Sequence, residues 1–325
     1  MRIISTWFIL FISIGVNAQS DTLFIEEYNL NALGQYKNGE PDGHWIYFYL
    51  NSGKQSEGDY KDGKLTGVWT NYFPSGQIEH EIIYRNDSMT TINKMYYEDG
   101  KQLNCNDFFF NAGDMLKKEN YYPANVFFKK ATELCPDNSL YWALSSLNKN
   151  MLGDNYGAID DLDNSLTIEP NNAVYLTRRG EAYMITSQYD EAFKDISKSI
   201  EIDSGIITNY QLMGMVLAAL KKHEQAIYYY TLFISKNTGK EDMHETLMSL
   251  KYRATCYFKL GEYKKAIEEY SLYLDVFTDD AEVYFYRAQS YLGLKNQKNA
   301  CSDWKKAVQI DKKYLEQSNF NNICQ

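Results

Sequence analysis

Two rhythms of apolar and polar residues divide the chain near residue 104. Up to that point, short runs rich in Tyr, Trp, Phe and Ile alternate with turn signals, and the pattern returns every 24 residues: Tyr36, Tyr60 and Tyr84; Gly43 and Gly67; Trp45 and Trp69. Each copy opens on YKNGEPDGHW or YKDGKLTGVW, passes through an aromatic stretch and closes on a turn, LNSGK, PSGQ or, in a worn third copy, EDGK. Asn-Gly, Asp-Gly and Ser-Gly steps between strand-forming runs are hairpin signals, because such turns need positive φ and glycine adopts it at no steric cost. Each unit is therefore predicted as two strands and two tight turns. The tryptophans fall at one point in successive layers, where each ring is expected to bury against the neighbouring unit.

From Cys105 the spacing becomes helical. Ala124, Ala158, Ala192 and Ala226 stand 34 residues apart, and the series resumes at Ala266 and Ala300 after one interval of 40. The six extra residues are expected in SKNTGKEDMHET, Ser235 to Thr246, where Gly239 and the charges mark a loop. Trp142, Leu176, Tyr210, Leu250 and Tyr284 recur near the start of a first helix, with Gly180 and Gly214 at its crossing. Phe128, Leu162, Ile196, Tyr230, Tyr270 and Trp304 each follow an alanine by four residues on a second helix. Small residues where helices cross and large ones where they interlock predict stacked helical pairs.

The 24-residue motif, Y-x-[ND]-G-x-x-x-G-x-W-x-x-[YF]-[YF]-x-x-[SD]-G, resembles the MORN repeat in the variant common in bacterial proteins, over about residues 30 to 104. That resemblance implies an elongated antiparallel sheet with a binding or spacer role. The third copy departs from it, with Asn93 where tryptophan stood and Asp87 where glycine stood, as suits a terminal, capping unit. The 34-residue pattern resembles the tetratricopeptide repeat, over about residues 105 to 312 in six copies. YRATCYFKLGEYKKAIEEYSLYL, Tyr252 to Leu274, is the copy nearest the consensus. It implies an all-α right-handed superhelical solenoid, so the expected class is α+β, a β-hairpin array followed by helical repeats. The expected divisions are 1–18, 19–104, 105–312 and a capping segment, 313–325, that forms one more helix or part of one.

The first eighteen residues, MRIISTWFILFISIGVNA, carry Arg2, an apolar run from Ile3 to Val16 and a small-residue ending, the pattern of a cleaved secretory signal. A membrane anchor, the alternative, needs about twenty apolar residues, and this run is shorter. The mature chain is expected to begin near Gln19 and to work outside the cytoplasm, periplasmic or secreted. In that setting five cysteines invite pairing. Cys105 and Cys135 lie about fifteen residues either side of the hairpin turn near Glu119 and Asn120, and so should meet. Cys301 and Cys324 are similarly placed about the last helix end, and Cys256 is left free and buried. The alternative is that all five remain reduced.

A formal net charge of -10 argues against nucleic acid or an acidic membrane face as partner. His44, His80, His223 and His244 are scattered without metal spacing, and no Cys-x-x-Cys, His-Glu-x-x-His, phosphate-cradling glycine loop or serine elbow occurs. GDNYGAIDDLDNS, Gly153 to Ser165, resembles a calcium loop only superficially, because Asp160, Asp161 and Asp163 point in different directions around a helix. No metal, cofactor or reaction is expected.

What remains is surface. In tetratricopeptide repeats the first helix of each pair lines the concave wall. Carried over, that position set includes Phe109, Leu116, Leu147 and Met151 early in the array and Thr177, Glu181, Met184, Gln211 and Met215 in its middle. Lys251, Phe258, Lys259, Phe285 and Gln289 complete it, and part of the set is expected to be ordinary inter-repeat packing. Apolar, adaptable side chains beside charges of both signs suit a peptide or helix from a protein partner. The lysine and asparagine arrangement that grips a terminal carboxylate in chaperone-binding relatives is missing. The rival reading is glycan or cell-wall binding on the aromatics Trp45, Tyr47, Trp69 and Tyr72 of the β-array.

Overall fold

The structure is a computed structural model that describes residues 22–25, 30–50, 53–237, 243–316, 320 and 323–324. The expected signal segment and the centre of the inserted loop, 238–242, lie outside the described residues. The chain divides into two compact units, Met1–Leu152 and Gly153–Gln325.

The first unit opens with a seven-stranded antiparallel sheet in sequential order: β1 Thr22–Ile25, β2 Leu30–Lys37, β3 Glu40–Phe48, β4 Lys54–Lys61, β5 Lys64–Tyr72, β6 Ile78–Arg85 and β7 Ser88–Met95. The 24-residue period is a steric device. Trp45 on β3 lies against Gly34 on β2 so closely that a Cβ there would overlap the indole, and its Nε1 donates to the Gln35 carbonyl at 3.2 Å. Trp69 on β5 repeats this over Gly58 on β4, donating to the Asp59 carbonyl at 3.1 Å. Tyr60 meets Trp69 edge-on at 5.1 Å, and Tyr36 meets Trp45 in the same way at the same distance. Edge-to-face pairs of this kind contribute about 0.5–1.5 kcal/mol beyond burial.

In the third copy both partners change together. Ile82 stands where Gly34 and Gly58 stood and is buried, while Asn93 replaces the tryptophan, is exposed and donates to Glu81 at 2.8 Å. The branched chain fills from the opposite strand the space that an indole fills elsewhere. Asp87, in glycine's place, takes φ 66°, and its carboxylate accepts the Leu65 N–H at 2.7 Å, tying the strained turn to the sheet.

Three helices complete this unit: α1 Cys105–Lys117, α2 Tyr121–Leu134 and α3 Ser139–Met151. Asn104 and Asp107 form a reciprocal cap at the start of α1, which satisfies N–H groups that no helix can bond internally. Ile92 and Met95 of β7, with Leu103, join Phe108, Phe127, Phe128 and Tyr141 in one apolar core. The boundary expected between residues 104 and 105 is thus a change of secondary structure inside a shared core. Cys105 is bonded to Cys135, with Cα atoms 6.0 Å apart, closing the α1–α2 pair at its open end.

The second unit contains α4 Asn155–Ile168, α5 Ala173–Ile185, α6 Tyr189–Ile202, α7 Thr208–Ala219, α8 His223–Lys236, α9 Met243–Lys259, α10 Tyr263–Leu274, α11 Ala281–Gly293 and α12 Gln297–Ile310. The pairs are α5 with α6, α7 with α8, α9 with α10 and α11 with α12. Ala192, Ala226, Ala266 and Ala300 are wholly buried at the crossings. A Cβ on Gly180 would strike Ile196, and one on Gly214 would strike the Tyr230 ring. Every pair turns at the same register, where Ser187, Lys221, Gly261 and Lys295 take φ between 60° and 76°. Three of these are not glycine and carry a cost of about 1–2 kcal/mol each. In return the next N–H closes on a carbonyl of the helix just ended, as Gln188 does on Tyr183 at 2.7 Å and Asn296 on Tyr291 at 2.8 Å.

After α12 the described residues include a 3-10 turn, Lys312–Glu316, and the helical residue Phe320, with Tyr314 and Phe320 buried on the last pair. Trp304 stacks on Phe320 at 5.8 Å and donates to the Tyr314 carbonyl at 3.0 Å, and Cys301 is bonded to Cys324. The expected capping segment, 313–325, is described only in part, with 317–319, 321–322 and 325 outside the described residues. Aromatic contacts and a covalent bond hold this segment on the last pair.

Candidate interaction surfaces

One register along the first helices turns inward at the junctions between repeats. Phe109 on α1 stacks on Tyr141 of α3 at 4.5 Å. Thr177 on α5 donates to Asn209 of α7 at 2.8 Å and pairs with Ser199 of α6 at 2.9 Å, all buried. Gln211 on α7 donates to Ser249 of α9 at 2.9 Å. Lys251 on α9 binds Asp280, the residue that caps α11, at 2.8 Å. Phe285 on α11 is only 8% exposed and packs against Tyr314 and Phe320 at 4.7 and 5.8 Å. Phe109, Thr177, Gln211, Lys251 and Phe285 belong to the set carried over from the concave wall. They are the part of the set taken up by inter-repeat packing, the seam that each repeat offers to the next, and at the last position Tyr314 and Phe320 stand in for a further repeat.

The open wall is what lies beside that seam. In the second unit α5 neighbours α7, α7 neighbours α9, and α9 neighbours α11, so first helices follow one another side by side. Glu181 and Ile185 on α5 and Lys259 on α9 are exposed, while Met184, Met215, Phe258 and Gln289 are half-buried. Surrounding protein raises the Glu181 carboxyl above its ordinary range, an effect partly offset by Arg178. Phe258 lies 5.3 Å from Tyr286, and the Lys259 ammonium sits over both rings at 5.5 and 5.8 Å. In the first unit, Leu147 and Leu116 are half-buried and Met151 is exposed.

On the sheet, Trp45 and Trp69 are 1% and 5% exposed, so neither offers a ring face to a sugar. Their faces are spent on glycine backbone and neighbouring tyrosines. Tyr47 and Tyr72 are half-buried, and Tyr72 donates to Glu57, which also binds Lys54 at 2.8 Å. His44 lies 2.9 Å from Asp59 at the surface. His80 is the histidine with chemical character: burial pushes its pKa down to about 4, and Nδ1 has no hydrogen-bond partner. Cys256 is buried, and desolvation, reinforced by Glu269, pushes its thiol up to about 12, which makes it an unreactive core residue. Among the described residues no group of His, Cys, Asp and Glu is arranged to hold a metal ion, and no helix is long and apolar enough to cross a membrane.

Two sets of structural residues escaped the sequence reading although a signal existed. Gly34 and Gly58 recur at the 24-residue period. Arg179, Arg253 and Arg287 recur at the helical period, each sixteen residues before an acid. Arg179 grips Asp195 through two bonds of 2.7 and 2.8 Å and reaches Asp163 on α4 at 2.7 Å. Arg253 binds Glu269 and Thr231, and Arg287 binds Asp303 and Ser271. Each guanidinium thereby joins three successive helices, a task its planar fork performs and a lysine cannot.

The tetratricopeptide repeat family profile matches residues 173–205, the span of α5 and α6. The small glutamine-rich tetratricopeptide repeat-containing protein 2 of Saccharomyces cerevisiae is 30% identical over 132 residues, 40% of this chain and 37% of that protein. The chain thus matches well under half the length of this curated relative. Among solved structures, pilF of Pseudomonas aeruginosa superposes with a TM-score of 0.55 at 18% identity, covering 67% of this chain and 96% of that one. YrrB, described as a TPR protein with an unusual peptide-binding site, gives 0.51 at 16% identity, covering 59% and 97%. The profile match thus falls on the α5–α6 pair, and the likenesses to solved structures show the same stacked-pair fold along the array.

Proposed function

We propose that this chain is a non-catalytic scaffold of the cell envelope or extracellular space that holds a peptide or helix of a partner protein along the first helices of its second unit. The observation that carries the reading is the division of labour on those helices. One register is consumed by the junctions, while positions four to eight residues further along the same helices, Glu181 and Lys259 exposed and Met215, Phe258 and Gln289 half-buried, keep surface beside it. Adaptable methionine and aromatic surface with charges of both signs is the chemistry of a peptide groove. The peptide-binding site named for YrrB, a protein of the same fold, points the same way. The β-array, with its MORN-like pattern, serves as a spacer whose aromatics are spent internally. Export rests on the N-terminal apolar run together with the two disulfides, which persist in oxidising compartments.

The test is a displayed peptide library selected on the purified chain, followed by affinity measurement with Met215→Asp and Phe258→Ala. Peptides that bind the parent and lose about tenfold or more on either variant support the groove, since one central contact typically carries that much. Selected peptides indifferent to both variants sink it.

A further inference from the structure

The chain is acidic as a whole, with a formal net charge of -10, yet three consecutive hairpin turns of the second unit carry the opposite sign. The α7–α8, α9–α10 and α11–α12 turns, residues 220–225, 259–265 and 294–299, hold seven lysines against two glutamates. Lys221, Lys222, Lys259, Lys264, Lys265, Lys295 and Lys298 are all exposed. Lys265 is paired with Glu262 at 2.5 Å, and among the described residues the other six take part in no ion pair. The α5–α6 turn before them has no cation and leads into Asp190 and Glu191. Helix dipoles explain only part of this pattern. A lysine at or just past the end of α7, α9 or α11 is favoured, but Lys264, Lys265 and Lys298 stand in the first turn of α10 and α12, where a cation is disfavoured and where α6 and α8 carry acids. For Lys264 and Lys298 that local cost has no compensating partner inside the chain.

The shared hairpin register sets these turns along one edge of the array. At the last two, the Tyr263 ring at the head of α10 lies so close to Gly293 at the end of α11 that a Cβ there would overlap it. Aromatic rings are interleaved with the charges. The Lys222 ammonium sits 5.4 Å over Phe193, Lys265 lies 5.0 Å over Tyr257, and Lys259 covers Phe258 and Tyr286. We propose that this turn edge is a docking strip for an extended acidic segment of a partner protein in which carboxylates are interspersed with apolar side chains. Charge complementarity selects the acids, and lysine, a point charge on a flexible stem, suits carboxylates in no fixed geometry. The half-buried rings of Phe258, Tyr263 and Tyr286 between the lysines select the apolar residues, which a uniformly charged glycan lacks. Asp190 and Glu191 border the strip before α7, and exposed Glu268 stands one turn further along α10. A flat anionic membrane pressed on the edge would meet those acids as well, whereas a linear segment follows the lysines. The strip borders the wall of first helices at Phe258 and Lys259 but draws most of its charge from turns outside it, so it is tested separately from the peptide-binding reading.

Fluorescence anisotropy of the full chain with two labelled peptides of about twelve residues, one repeating Glu-Glu-Leu and one repeating Gln-Gln-Leu, tests it. The acidic probe should bind and weaken about tenfold or more between about 0.05 and 0.5 M salt, and the neutral probe should not bind. Combining Lys221→Glu, Lys222→Glu, Lys295→Glu and Lys298→Glu should weaken the acidic probe by about tenfold or more. Combining Lys37→Glu, Lys61→Glu, Lys305→Glu and Lys306→Glu makes the same change of net charge on exposed lysines elsewhere and should change its affinity by less than about twofold. Met215→Asp, which obstructs the wall, should leave the acidic probe bound. Unchanged helical circular dichroism confirms that each variant is folded. An acidic probe that fails to bind, that binds the two fourfold variants alike or that is lost on Met215→Asp overturns the proposal. So does a neutral probe that binds as well, or an edge that prefers phosphatidylglycerol vesicles or alginate to the acidic peptide.

Discussion

The sheet and the helical array both stack copies of a short unit, yet they tolerate variation very differently. In the sheet, backbone hydrogen bonds fix the distance between neighbouring strands, so the one free variable is what fits over the backbone, and the answer recurs as glycine under tryptophan. When the third copy departs, it departs at both positions, Ile82 and Asn93, because neither change is admissible alone. In the helical array nothing but side chains sets the spacing between repeats. The same seam register accordingly holds an aromatic stack at Phe109, a hydroxyl–amide network at Thr177, an amide at Gln211, an ion pair at Lys251 and a ring cluster at Phe285. Constancy survives there at the alanine crossings and the hairpin turns, while the arginine fork recurs at three repeats and gives way to Met213 on α7.

The largest effect that separates the two regions is expected at a fork. Arg179→Ala leaves Asp195, a nearly buried carboxylate, without its partner and should cost about 3–5 kcal/mol in the second unit, measured by urea denaturation. Next, the sheet-bearing unit should be the acid-sensitive one. His80 holds a folded-state value near 4 against 6.5 unfolded, so the unfolded chain binds the extra proton. Stability is therefore full above about pH 6.5 and falls by about 3 kcal/mol as pH drops to 4, and His80→Gln should flatten that slope in a pH series of melts. Gly58→Ala should cost about 1–3 kcal/mol by forcing the Trp69 ring off its seat. Gly58→Ile combined with Trp69→Asn, which copies the third unit, should recover much of that loss, with near-ultraviolet dichroism reporting the packing. The smallest effect is expected at a seam. Lys251→Met removes one ion-pair partner, but Asp280 keeps the Val283 N–H and the Tyr273 hydroxyl, so a loss of only about 1 kcal/mol is expected. A seam loss as large as the glycine loss would break the contrast.

Much of the fold was legible because periodicity reports geometry. The hairpin turns, the buried alanines and the approach of Cys105 to Cys135 all follow from counting residues along elements of known rise. The site was legible only in outline. Phe109, Lys251 and Phe285 share a repeat register with residues that line walls in this class, and register says which helix face a residue occupies without saying whether another element covers it. Trp45 and Trp69 show the same limit. A ring on a sheet face reads as a platform until the neighbouring glycine and tyrosines are seen to consume it.

Sequence alone therefore determined the two unit lengths, their strand and helix content, and the positions where only a small side chain is admissible, since these depend on local geometry that repeats at a constant interval. Tertiary structure decided which of the recurring positions meet solvent, that the sheet and the first helical pair share one core, and that Tyr314 and Phe320 pack on the last repeat. Those outcomes depend on contacts between residues far apart in the chain, where burial is settled by whichever neighbour arrives and not by the residue's own place in the period.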